Sequence, residues 1–326
     1  TVLKIAIVFF VVIVGFFYVK ASNFTPFIPP SQPASTVEGS SAVTGVMTQP
    51  LWQFATGMTP SVYGVPGILS GAALVFFAFI GFDVVATASE ETKNPHKNVP
   101  LGIGVGMLLI IVMYMLVAVV TTGMVSYADL AKQDSPSLAT AFELVGADWA
   151  AKIISFGIVL GLATVVMVLL LGLTRIVFAM SRDGLLPRGL SKTGKHGTPA
   201  ALQIVVGAVV ALVAAFFDIG VLSDMVNIGT LSAFTLVAIS IPIMRKKRPD
   251  LPRAFKMPGS PWIPILIAVA NFWLMLNLSV LTWIRFVVWL VVGFAIYFGY
   301  GYWHARLGKG DLTETLSAET DKAVNG

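Results

Sequence analysis

Runs of some twenty apolar residues recur along nearly the whole chain, separated by short connectors, and this constrains the fold more than any single motif. About 20 residues is the length at which an α-helix crosses the hydrocarbon core of a bilayer. Eight such spans are readable, at roughly 1–19, 68–90, 101–124, 151–181, 200–217, 221–244, 262–282 and 284–304. Hydrophobic residues make up 56% of the chain and charged residues 11%, with a mean hydropathy of +0.87. Soluble domains do not have that composition, so the chain reads as an all-α, multi-pass membrane protein.

The net charge of +5 does not point to nucleic acid, because the bases sit in connectors rather than along one face. Lys93 and Lys97 form one cluster, Arg182, Arg188, Lys192 and Lys195 a second, and Arg245, Lys246, Lys247, Arg248, Arg253 and Lys256 a third. All three fall on one side, which the positive-inside rule makes cytoplasmic, together with the tail carrying Arg306 and Lys309. Opposite connectors hold only Lys20, Lys132, Lys152 and Arg285. The chain has no cysteine, and His96, His196 and His304 lie far apart, so neither thiol chemistry nor a metal site is indicated. A signal-peptide reading of the opening fails, since Val19-Lys20-Ala21 lacks the small-x-small cleavage pattern. Apolar already at Ile5 and without a starting Met, the chain reads as beginning partway through a helix.

Residues 22–66 form a long outward loop rich in Pro, Ser and Thr, expected to be irregular. The second outward loop has a short helix, with Ser135 as its cap, Pro136 at its first position and Gly146 as its stop. On the inner side, Asn94-Pro95 ends the second span and Pro100 opens the third. The tail after Asp311 lacks periodicity and reads as disordered.

Candidate functional residues are few. Gly81 and Asp83 interrupt the apolar run Phe76-Phe-Ala-Phe-Ile-Gly-Phe-Asp83. An acid in hydrocarbon costs several kcal/mol unless it faces a polar cavity, a partner or opened backbone, or snorkels from a helix end. Gly81 fits either a broken helix, whose freed peptide groups can hold a ligand, or a packing notch in an unbroken one. Lys4 is either a desolvated, protonatable ammonium or a base snorkelling to the interface. Met167 is near mid-span, lining a pocket or filling a core gap. Arg175 reads as structural, and Asn227, Gly229, Thr230 and Ser232 as a helix-packing seam. No set of nucleophile, base and oxyanion donors is present, so the residue inventory gives an enzyme no support.

Three segments in order, Phe76 to Asp83, Glu90-Glu91-Thr-Lys-Asn-Pro95, and Arg175-Ile-Val-Phe-Ala-Met-Ser-Arg-Asp-Gly-Leu-Leu-Pro187, resemble the amino acid-polyamine-organocation superfamily. The resemblance is nearest to its cationic amino acid transporter branch, including bacterial members that carry neutral amino acids. It implies part of a twelve-helix transporter, with two inverted five-helix repeats, a discontinuous sixth helix, and helices one to four absent from this chain. On that resemblance, 1–21 is the end of helix five, 22–66 an extracellular loop, 67–244 the second repeat, 245–261 a cytoplasmic basic loop, 262–305 helices eleven and twelve, and 306–326 a cytoplasmic tail. The loop 22–66 is longer than the family's usual connector.

The resemblance further implies roles. Phe77 is the aromatic gate, Ala78, Phe79 and Ile80 offer carbonyls to the substrate's amino group, Gly81 permits the break, and Met167 lines the side-chain end and favours neutral substrates. Lys4 takes the place of a sodium ion, making the proton the coupling ion with no cofactor needed. The expected activity is amino acid/proton symport by alternating access across the cell membrane; an exchanger or uncoupled carrier of the same fold is the alternative.

Overall fold

The structure, a computed structural model, describes residues 2–34, 45–82, 92–133, 136–191, 199–249 and 259–305. Helices dominate it: α1 (Val2–Phe16), α2 (Leu51–Thr56), α3 (Gly64–Val75), α4 (Pro95–Met124), α5 (Tyr127–Ala131), α6 (Leu138–Leu144), α7 (Asp148–Arg182), α8 (Ala200–Phe216), α9 (Ile219–Lys247), α10 (Trp262–Leu276) and α11 (Val280–Ile296). A two-residue antiparallel pair joins β1 (Gln32–Pro33) to β2 (Ser61–Val62). Four helical stretches are long and apolar enough to cross a bilayer: Lys97–Met124, Asp148–Arg182, Ile219–Lys247 and Val280–His304, the last running through a π-helical turn after α11. Their faces carry large exposed apolar side chains, such as Phe156 at 68% and Val159 at 65%. Water would not tolerate that surface, whereas lipid is its natural solvent.

The chain divides into two units. The first comprises Thr1–Val165 with Ser223–Trp283. Its core gathers Val11 of α1, Val120 and Met124 of α4, Phe142 of α6 and Ile154 of α7, all nearly inaccessible. Gly15 makes this packing close, because a Cβ there would collide with Val120 and stand 2.8 Å from the Met124 sulfur. The second unit comprises Val166–Leu222 with Ile284–Gly326. Within it the buried Ser181 hydroxyl donates to the Pro187 carbonyl at 2.7 Å, closing the turn after α7, and Gly184 takes φ +83 against the His304 carbonyl.

Several sequence expectations are corrected. Ser137, not Ser135, caps α6: its hydroxyl accepts from the Thr140 amide at 3.1 Å, while Ser135 lies outside the described residues. Gly146 does stop that helix, at φ +79. The third span begins at Pro95, with Asn94 at φ 50 before it, and Pro100 falls inside the helix. The break between the last two spans comes at 277–279 rather than 283, where Asn277 turns its amide back to the Trp273 carbonyl at 2.8 Å. Arg245 to Lys247 form the last turn of α9 rather than a loop, where cations suit the helix dipole.

The outward loop is also more structured than its composition suggests. Lys20 and Asn23 both donate to the Gly123 carbonyl at 2.8 Å. Further along, the Leu51 amide donates to Leu278, and Leu281 and Val280 donate to Met47 and Gln49. Trp52 stacks on Trp273 with centroids 6.5 Å apart. These long-range bonds, which no local pattern encodes, tie residues 45–56 to the α10–α11 turn.

Candidate functional site

α3 starts abruptly. Tyr63 and Gly64 both have positive φ, 61° and 59°, which turns the chain from β2 into the helix. Its 12 residues end at Val75, and the backbone then tightens into a 3-10 turn over Phe76–Phe79. The Ile80 amide donates to the Phe77 carbonyl at 3.2 Å, three residues back rather than four. Ile80 itself is extended, at φ −68 and ψ 139, and Gly81 follows at φ +117. That region is open to glycine and closed to side chains with a Cβ. Among the described residues, its chain neighbours apart, no atom lies within 4 Å of where a Cβ at Gly81 would stand, and the positive φ by itself favours glycine there.

Aromatic rings fix the broken segment on two sides. Phe76 and Phe82 pack on Phe234 of α9, with centroids 6.1 and 5.4 Å away. Phe79 meets Tyr114 of α4 edge-on at 5.1 Å. Phe77 points elsewhere and is 42% exposed. The Tyr114 hydroxyl donates to the Ala78 carbonyl at 2.9 Å, replacing a bond that a continuous helix would supply internally. Four residues earlier, the Leu74 carbonyl accepts a long 3.4 Å contact from Asn227 Nδ2. Asn227 is fully buried, and its Oδ1 has no partner among the described residues.

The structure therefore brings Phe77, Ala78, Phe79, Ile80 and Gly81 into one segment where the α-helix gives way to a 3-10 turn and then opens at Ile80 and Gly81. Lys4 stands apart in the first turn of α1, half-buried, with no hydrogen bond or ion pair among the described residues. Met167 lies in the second unit, on α7, 65% exposed. Asp83, with Glu90 and Glu91, lies outside the described residues. No group of metal-ligating side chains occurs among those described. Tyr114 and Asn227 are the additions to the expected site. Tyr114 had a signal in the sequence, as a phenol between Met113 and Met115 in an apolar span, where a hydroxyl needs a partner. Asn227 was visible too, but read as packing.

The segment thus combines main-chain carbonyls, the Tyr114 hydroxyl and aromatic faces, with no charged side chain among its described residues.

A family model described as amino acid permease matches residues 1–301. A branched-chain amino acid permease of Bacillus subtilis (strain 168) is 41% identical over 309 residues, 94% of this chain and 59% of the relative. A methylthioribose transporter of the same organism is 39% identical over 308 residues, with the same coverage of 94% and 59%. Cationic amino acid transporter 3, mitochondrial, of Arabidopsis thaliana is 45% identical over 195 residues, 60% of this chain and 31% of that protein. The chain thus spans 59% of the length of the bacterial relatives it matches.

Proposed function

The chain belongs to the amino acid permease family, and on that premise we propose that it forms the substrate-gripping part of a secondary carrier that moves an amino acid together with a proton by alternating access. One observation carries the reading: the helix ends and the backbone opens at Ile80–Gly81. At ~1.5 Å per residue for the 12 residues of α3 and ~2.0 Å for the four of the 3-10 turn, the stretch before Ile80 reaches ~26 Å, less than the ~30 Å hydrocarbon core. In this reading the opening lies within the membrane, where bare peptide groups survive only against protein or a wet cavity. Broken helices at that depth bind zwitterions through main-chain groups.

In this reading the carbonyls of Ala78, Phe79 and Ile80 receive the ammonium and Phe77 closes over it. A neutral, apolar substrate side chain is in keeping with the relative named for branched-chain amino acids. Lys4, at the position the family resemblance gives to a coupling cation, links the cycle to protons. The basic clusters put the C-terminus in the cytoplasm of a cell-membrane protein.

Uptake of labelled L-leucine and L-arginine into proteoliposomes, with and without a pH gradient, tests the proposal. Leucine accumulation driven by the gradient is expected, with little arginine uptake. Gradient-independent exchange of internal for external amino acid rejects symport in favour of an exchanger.

A further inference from the structure

A cavity of about 610 Å³ lies on the outer side of the first unit, apart from the broken segment, since none of Phe76 to Gly81 lines it. One wall is the start of α3, from Tyr63 to Ser70; the second is the end of α4, at Ala118 to Thr122; the third is the loop, with Phe24 and with Phe27 between Pro26 and Pro29. No Asp, Glu, Lys, Arg or His lines it among the described residues, and its surface is largely apolar. Tyr63 and Tyr127 meet edge-on at 5.2 Å across its rim.

We propose that this cavity is a binding site for an uncharged aromatic molecule. Its size and its apolar lining with a few polar groups are those of small-molecule sites. Aromatic walls accept a ring in offset or edge-on contact. Asn23 donates its Nδ2 to the Gly123 carbonyl at 2.8 Å, and its Oδ1, which accepts no hydrogen bond among the described residues, is an acceptor for a ligand N–H or O–H. A charged ligand, a zwitterionic amino acid included, would lose its water and find no counter-charge. The site therefore selects against the class of solute proposed for the broken helix. Because α3 forms one wall, a bound ring holds that half-helix against α4.

The absence of cysteine makes a protection experiment clean. Ser70→Cys and Thr122→Cys each carry one thiol into facing walls, and Lys132→Cys puts a control at an exposed outer position. With purified protein in lipid nanodiscs and a methanethiosulfonate reagent, indole should slow modification at 70 and 122, about tenfold at ten times its dissociation constant. The rate at 132 should not change. Indole-3-acetate, the same rings bearing a carboxylate, should protect neither position. Gly67→Phe, which fills the cavity from the α3 wall, should abolish protection at 122. Equal protection by both compounds, protection by neither, protection that survives Gly67→Phe, or thiols unreactive at both walls would each overturn the proposal.

Discussion

Tyr114 shows how much a single hydroxyl can decide. It holds the Ala78 carbonyl at 2.9 Å while its ring rests on Phe79, so Tyr114→Phe removes the bond and keeps the ring. A neutral hydrogen bond is worth about 0.5–1.5 kcal/mol net, and the substrate affinity of the variant should fall by roughly 2- to 10-fold, read as a rise in KM for uptake. An unchanged KM would remove Tyr114 from the site. Phe77, 42% exposed, is a different case: Phe77→Ala should weaken binding itself without melting the protein. Lys4→Ala should abolish the response of uptake to a pH gradient while equilibrium binding persists; gradient-driven uptake at the parental rate would disprove the coupling role. At this scale the sequence was a fair guide to the opened backbone at Gly81, whose φ is +117. It missed Tyr114 because a hydroxyl's partner 36 residues away leaves no trace in local spacing.

At the scale of elements, the break in α3 and its continuation contrast two glycines. Among the described residues, Gly71 is helical with nothing within 4 Å of its missing Cβ, and Gly81 likewise has nothing there but takes φ +117. Gly71→Ala should be neutral or stabilise by up to about 1 kcal/mol. Gly81→Ala should cost about 1–3 kcal/mol of the open conformation, lowering the uptake rate by roughly 5- to 150-fold. Equal effects of the two substitutions would mean that the break is not needed. Helix existence was legible from the apolar runs, but helix ends were less so. Pro136 suggested Ser135 as the α6 cap, whereas the hydroxyl one turn from Thr140 belongs to Ser137. Ser137→Ala should lower stability by about 1 kcal/mol, measurable as a shift in thermal melting. The loop 22–66 was read as irregular because its anchors, Trp273 and Leu278, lie more than 200 residues away.

Across the whole molecule, the described apolar faces, the four span-length helices and the amino acid permease match over residues 1–301 agree on a membrane carrier fold. With the orientation proposed from the charge asymmetry, a single cysteine at Lys132 should react with an impermeant thiol reagent added outside cells, and one at Lys246 only after permeabilisation. The reverse pattern would invert the topology. Class and span order were legible because a bilayer allows few solutions, whereas the relation of Lys4 and Met167 to the opened backbone depends on tertiary placement. What holds the account together is the claim that peptide carbonyls at a broken helix, rather than charged side chains, grip the substrate. The most direct test is an experimental structure of the lipid-embedded protein with L-leucine bound. The account predicts the α-amino nitrogen about 2.8–3.2 Å from main-chain carbonyl oxygens of Ala78 to Ile80, with Gly81 at positive φ. An unbroken helix through 76–82, or leucine held elsewhere by charged side chains, would contradict it.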